Sequence, residues 1–371
     1  MTADILIFVE DPGPAHYAAP LSGALAMKGW RTVVYAGGLA RSILQKRNIS
    51  FVPVDDGLVP EALLREIQPK ILLTGTSENP DSPGFRLILA ARGNGIPTAA
   101  FIDAGVNAPY RFRGRSEDAL AYAPDWILVP DNWTRDEFLR IGIREDRLCV
   151  CGHPHYDYVL NLGRAWTVED RVRMRRRFLP GLGDRQQAVV FLSEGSERAA
   201  LLSPSPSLEE YSLRGWGTRT GRTEIIIEEF LEAIKTLPYR PYLILRLHPK
   251  DQLGDFQNYV THFDHIDHTS PPLELIFCAD LVVGMTTMLL LEAVLLGLKT
   301  LSIVPRQVEK DWLPTVRQGI TPCVMTRPDL TTTLNALLRD DGPSQPDPRF
   351  CVADGSLERL VRFIEGFLTH G

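Results

Sequence analysis

The sequence predicts an α/β protein made of two doubly wound domains, and three observations carry that prediction. Short runs of β-branched and aliphatic residues alternate with segments of helical periodicity along most of the chain. The runs are apolar on both faces, as strands are in a parallel sheet covered by helices on either side. The rhythm breaks at 163–187, where "DRVRMRRRFLPGLGDRQQ" is charged and ends in Pro and Gly, and then restarts. A chain of 371 residues is long enough for two such domains.

In the first domain, expected over 1–165, the strands read "ILIFV" (5–9), "TVVYAG" (32–37), "FVPV" (51–54), "ILLTGT" (71–76), "TAAFID" (98–103), "WILVPD" (126–131) and "LCVCG" (148–152). Helical periodicity fills 16–28, 60–67 and 132–141 between them. A hinge is expected near 165–185. In the second domain, expected over 186–352, the strands read "AVVFLSEG" (188–195), "YLILRLHP" (242–249), "HIDHT" (265–269), "DLVVGM" (280–285) and "KTLSIVP" (299–305). Residues 203–223 are rich in Ser, Pro, Gly and Arg and follow a strand end, so this long loop is either functional or mobile. The segment 353–371 holds a last helix with apolar residues at 357, 360, 361, 363, 364, 367 and 368. That stripe calls for packing on a domain surface, with a return to the first domain left open.

Hydrophobic residues make up 44% and charged residues 23%, enough for packed cores and unlike a disordered chain. A net charge of −6 argues against a general nucleic-acid binder. The opening "MTADILIFVED" lacks a basic segment followed by a long apolar run, so no signal peptide is expected. The most apolar window, Met288 to Val304, is interrupted by Glu292 and Lys299, which argues against a transmembrane segment. Five cysteines, with only Cys149 and Cys151 close together, read as reduced and mostly buried thiols and not as a zinc site. A soluble cytoplasmic protein is the expectation.

Ligands of open α/β sheets bind beyond the carboxyl ends of the strands, and four strand ends carry chemistry. In "VEDPGPAHY" (9–17), Gly13 would let a ligand approach the backbone, with Asp11 or His16 as base. The same residues also make an ordinary βα turn with acids at a helix start. No G-x-G-x-x-G is present, which argues against a nicotinamide enzyme. In "FLSEGSER" (191–198), Ser193, Glu194, Gly195 and Ser196 form a candidate phosphate-binding turn, and without G-x-S-x-G a hydrolase elbow is not supported. In "LRLHPKD" (245–251), period 2 would put Arg246, His248 and Lys250 on one face, suited to an anionic leaving group. In "CADLVVGMTTMLLLEAVLLG" (278–297), Thr286 and Thr287 stand at a helix start, where hydroxyls and free amides together bind phosphate. Glu292 follows more than one turn later, placed either to hold a ribose or to pair with a core Arg or Lys.

The run "ADLVVGMTTMLLLEAVLLG", preceded by "LRLHPKD", resembles the C-terminal domain of GT-B glycosyltransferases and of the non-hydrolysing UDP-GlcNAc 2-epimerases. The stretch 126–159 is similar to the same superfamily's phrase around a Gly-Asn-Pro, here Gly152-His153-Pro154. A His-Pro pair also marks branches that transfer sialyl, Kdo or glycerophosphate groups from cytidine nucleotides. The resemblance implies two Rossmann-like domains facing a central cleft, the N-terminal one on the acceptor side and the C-terminal one on the nucleotide-sugar side. Carried over by position, Glu292 would bind ribose, Thr286 and Thr287 the diphosphate, and His248 a phosphate or the surroundings of the base. The chain departs from the epimerases in two places. It has "EDPGPAH" where they carry Gly-Thr-Arg-Pro-Glu, and Thr286-Thr287-Met288 where they carry Ser-Gly-Gly.

The expected activity is therefore a metal-independent glycosyltransferase acting on a UDP- or CMP-type nucleotide sugar and an unidentified acceptor. Asp11 is the first candidate base, with His16 and Asp103 behind it; Asp103 precedes the loop "AGVNAPYRFRG". His248, Arg246 and the helix start would meet the phosphate charge, with no cofactor beyond the co-substrate. Two rivals stay open: an epimerase or hydrolysing relative, and a non-catalytic sugar-nucleotide-binding protein. Homo-oligomerisation is left open.

Overall fold

Strand runs without a polar face need cover on both sides, and the computed structural model gives it to them. The structure describes residues 2–55, 57–76, 79–195, 210–340 and 355–369. The chain divides into two compact units, Met1–Tyr158 with Val352–Gly371, and Val159–Cys351.

The first unit alternates β1 (Ile5–Val9), α1 (Pro12–Met27), β2 (Thr32–Ala36), α2 (Ala40–Lys46), β3 (Val52–Pro53), α3 (Pro60–Ile67), β4 (Ile71–Gly75), α4 (Pro83–Gly93), β5 (Thr98–Phe101), β6 (Trp126–Val129), α5 (Asn132–Arg140) and β7 (Leu148–Val150). All neighbours run parallel, in the order β3-β2-β1-β4-β5-β6-β7. Every residue of β1 is buried. Helix α1 begins four residues before the expected 16, because Pro12 and Pro14 sit in the first turn, where the missing N–H groups need no helical partner.

Helix α6 (Pro154–Ala165) contains the division between the units, at Tyr158/Val159. The stretch 165–185, expected as a hinge, groups with the second unit. It carries α7 (Val168–Phe178), opened by a reciprocal Thr167–Asp170 capping box. Arg171 and Arg175 both bond the Asp280 carboxylate, at 3.1 and 2.7 Å, and donate to the carbonyls of Phe277 and Cys278. Two arginines of the expected hinge are thus clamped on their own unit.

The second unit continues with β8 (Ala188–Leu192), α8 (Arg222–Lys235), β9 (Tyr242–Arg246), β10 (His265–Asp267), α9 (Pro272–Phe277), β11 (Leu281–Gly284), α10 (Met288–Leu295), β12 (Thr300–Ile303), α11 (Pro314–Arg317), β13 (Cys323–Val324) and α12 (Arg327–Arg339). Its sheet is again parallel, ordered β10-β9-β8-β11-β12-β13. Strands β8 and β9 are fully buried, and Leu290, Leu291, Ala293, Val294 and Leu295 of α10 are buried as well.

The last helix, α13 (Ser356–Leu368), groups with the first unit. Leu360, Val361, Ile364 and Leu368 join the core around α1 and β1, each worth about 1.5–3 kcal/mol of burial. Trp30 Nε1 donates to Glu365 at 3.3 Å beside them. The thiols of Cys149, Cys151, Cys278 and Cys323 are free, and Cys351 lies outside the described residues. No described helix is long and apolar enough to cross a membrane.

Candidate functional site

Each sheet reverses its strand order once, and ligand crevices of such sheets open there. In the second unit the reversal lies between β8 and β11. The chain leaves β8 as Ser193-Glu194-Gly195 and leaves β11 as Met285-Thr286-Thr287, whose side chain caps α10 by accepting from Leu289 N at 3.3 Å. The two exits are joined by one carboxylate. Glu194 Oε1 accepts from the amides of Thr286 and of Thr287 (2.5 Å for the latter), and Oε2 accepts from Thr286 Oγ1 at 2.8 Å and from Arg222 Nη1 at 2.9 Å. Thr223 Oγ1 donates to the Glu194 carbonyl at 2.8 Å and fixes the backbone. The amides expected to face a phosphate are thus engaged by the chain's own acid.

Arg222, which sequence reasoning missed, extends this cluster. Its Nε donates to Glu309 Oε2 at 2.7 Å, and Arg306 Nε donates to Glu309 Oε1 at 2.5 Å. Glu309 has no exposed surface. Burial works against the Arg222 charge, but Glu194 and Glu309 outweigh it and hold the guanidinium above its ordinary pKa. Arg222 opens α8 within the 203–223 stretch that the sequence singled out, and the described residues just before it are anchored. Glu229 accepts from the amides of Arg214 and Gly215, and Glu228 from that of Trp216.

Arg246 does not join the switch point. It forms a buried ion pair with Asp267, its register partner on β10, and so turns to the opposite neighbour. The shared face expected for Arg246, His248 and Lys250 is also absent, since β9 ends at Arg246 and Lys250 is exposed beyond it. His248 is held by its backbone: its amide donates to Ser193 Oγ at 2.8 Å, and Ser193 Oγ donates to Asp251 at 2.6 Å. Its Nδ1 accepts from Lys250 N at 3.2 Å, so a neutral ring carries its hydrogen on Nε2. Burial pushes the His248 pKa down, with Asp251 opposing, so the ring is mainly neutral at pH 7. Glu292 is half-buried in the second turn of α10. Ser196 lies outside the described residues.

In the first unit the reversal lies between β1 and β4. Asp11 is the residue before α1, extended at φ −100°, and its side chain does not cap the helix. Gly13 has a different role from the one expected. A Cβ there would lie 2.0 Å from Asp103 Oδ2, so the glycine makes room for the chain's own carboxylate. Asp103 is therefore brought against the first turn of α1, accepts from Ala104 N at 3.0 Å, and lies 3.5 Å from Arg111.

His16 stacks on His155 with ring centroids 4.1 Å apart, and its Nδ1 is buried without a hydrogen-bond partner. Arg47 donates to His155 Nδ1 at 2.9 Å, which puts that ring's hydrogen on Nε2 when neutral. Burial first, then the fields of His155, Arg47 and His153, hold the His16 pKa well below its ordinary value. The Gly-His-Pro phrase has a structural use here. Gly152 is left-handed at φ +80°, and a Cβ on it would meet Ser356 Oγ at 2.3 Å. His153 is buried between Tyr17 and Tyr156, at 4.0 and 4.3 Å, and Pro154 opens α6. Tyr17 OH lies 3.0 Å from the carbonyls of both Ile102 and Gly152, tying β5 to β7. Among the described residues no group of three or more His, Cys, Asp or Glu could hold a metal ion.

No protein-family model and no curated protein sequence matches the chain significantly. Solved structures do match over nearly its full length. UDP-GlcNAc 2-epimerase of Neisseria meningitidis, bound to UDP-GlcNAc, is 15% identical with a TM-score of 0.68, over 98% of this chain and 99% of that one. HepE of Anabaena, in complex with UDP, is 12% identical with a TM-score of 0.58, over 100% and 98%. The wall teichoic acid polymerase TagF is 11% identical with a TM-score of 0.56, over 99% and 89%. At such identities the likeness speaks for the fold alone: the chain has the GT-B fold of two parallel-sheet α/β domains.

Proposed function

We propose that the chain is a metal-independent glycosyltransferase of the GT-B type, holding a nucleotide sugar on its second unit and an acceptor on its first. The observation that carries this reading is the convergence of Thr286 N, Thr286 Oγ1, Thr287 N and Arg222 Nη1 on a single anionic group at the second switch point. Displacement at an anomeric carbon with a nucleotide leaving needs donors of this kind, because the departing phosphate gains charge in the transition state. In this reading His248 supplies a further donor through Nε2, and Glu292, in the second turn of α10, takes a ribose hydroxyl. On the first unit Asp103, Asp11 and His16 gather about the start of α1 as candidate bases, Asp103 being the one packed on that turn. Arg246 is left out of the site by its pairing with Asp267.

The test is a thermal-shift panel of UDP, GDP, CMP, CDP and dTDP, followed by turnover assays with the matching nucleotide sugar. A ligand that binds the native state raises its apparent stability, so a selective shift identifies the base. Release of nucleotide that depends on an added acceptor supports transfer. Consumption of the donor alone would replace this reading with an epimerase or hydrolase, and binding without any turnover would replace it with a sugar-nucleotide-binding protein.

A further inference from the structure

The donor set at the second switch point is already filled, and what fills it bears on what can enter. We infer that Glu194 is a resident anion that a ligand's phosphate displaces, so that phosphorylated ligands bind in competition with the chain's own carboxylate. This rests on the reading above that the same donors take the nucleotide's phosphate.

The Glu194 carboxylate makes the contacts a phosphate would make. Both amides converge on Oε1, while the Thr286 hydroxyl and the Arg222 guanidinium converge on Oε2. Three separate segments build the cradle: the exits of β8 and β11 and the first residue of α8. Its charges alternate, Glu194, Arg222, Glu309, Arg306, two acids against two bases, so the cluster is balanced before any ligand arrives. Glu194 and Arg222 keep only 16% and 15% of their side-chain surface exposed. Adding a phosphate while the carboxylate stays would set like charges together in a poorly solvated place, so the two exclude each other. A nucleoside offers the two amides nothing as strong as the carboxylate it would replace, since hydrogen bonds to ionised acceptors are about twice as strong as neutral ones.

Release requires little movement. The Glu194 backbone is held through its carbonyl by Thr223, so rotation of the side chain alone frees both amides. The affinity of any phosphate ligand is then lowered by the fraction of time the carboxylate occupies the cradle.

The experiment measures binding of inorganic pyrophosphate, of the nucleoside diphosphate that wild type prefers, and of its parent nucleoside. Full-length wild type, Glu194→Ala and Glu194→Gln are compared by titration calorimetry and thermal unfolding. The expected result is roughly 5- to 150-fold tighter binding of pyrophosphate and nucleotide to Glu194→Ala, the usual span of a coupling between two sites. The apo melting point falls as the cap is lost, yet the ligand-induced rise becomes larger. Glu194→Gln keeps the shape of the side chain and shows a smaller gain, which carries the test if Glu194→Ala does not fold. The nucleoside leaves the carboxylate in place, so its affinity stays the same in all three proteins and the advantage of the diphosphate widens in Glu194→Ala. If wild type binds the nucleotide and the folded variants bind it equally or more weakly, Glu194 is a permanent cap or a ligand-positioning residue, and the inference falls while the nucleotide reading stands. If none of the three proteins binds pyrophosphate or nucleotide, the cradle itself has been misread.

Discussion

Replacing Arg222 by Met tests whether the second unit depends on the charge cluster at its switch point. The guanidinium donates to Glu309 at 2.7 Å, to Glu194 at 2.9 Å and to Thr286 Oγ1 at 3.3 Å, and Glu309 is fully buried. Methionine fills much of the same volume but leaves both carboxylates short of a partner. Removing one member of a buried pair costs about 3–5 kcal/mol, because the remaining charge is stranded. Arg306 still holds Glu309 through Oε1, which places the expected loss near the lower end of that range. For a unit of 150–250 residues each kcal/mol is worth about 2–4 °C, so the melting point of the second unit should fall by roughly 6–12 °C. Calorimetric unfolding of the full chain is the assay, with urea titration as a check on the free energy. Adding Glu309→Gln to the variant should cost less than the sum of the two single changes, since the stranded charge is removed with its partner. A loss below about 1 kcal/mol, the value of a surface ion pair, would refute the reasoning and mean that water reaches the cluster freely.

Three further outcomes are expected. Gly152→Ala forces a side chain into a left-handed residue and against Ser356 Oγ at 2.3 Å, and should destabilise the first unit by about 1–3 kcal/mol in denaturant titration. The buried rings of His16 and His153 have pKa values held well below 6.5 by burial, so the unfolded chain takes up their protons first. Stability should then be complete above about pH 6.5 and decline as the pH falls below it, by up to about 1.4 kcal/mol per pH unit for each ring. Unfolding curves from pH 7.5 to 5.5 check this, and replacing both histidines by Gln should flatten the slope. His248→Ala should lower kcat by roughly 10²–10³ with a smaller change in KM, and EDTA should leave wild-type turnover unchanged. A normal kcat in the variant would move the phosphate contact away from His248, and EDTA-sensitive turnover restored by a divalent ion would end the metal-free mechanism.

Much of the architecture is legible in the sequence because it is written in local patterns. Strands such as "AVVFL" and "YLILR" are apolar throughout, and a segment that cannot tolerate water on either face must lie in a covered sheet. The alternation with helices then leaves a parallel sheet as the arrangement, and the strand-end rule points to Asp11, Ser193, His248 and Thr286 before any coordinate is known. The apolar stripe of 357–368 likewise announces a packed helix, since its spacing alone defines the buried face.

What only the tertiary structure decides is the partner of each polar group. Glu194 and Thr286 are 92 residues apart in the chain, and only the adjacency of β8 and β11 brings carboxylate and amides together. Arg246 reads as a free cation until β10 delivers Asp267 beside it, and Gly13 as an opening for a ligand until Asp103 arrives over it. Arg222 and Glu309 carry no motif, because an ion pair between loops is specified by where the loops end and not by any spacing within them. Burial and secondary structure follow from the periodicity of neighbouring residues, whereas charge pairing across strands depends on sheet order, and a single sequence holds no periodic signal for that order.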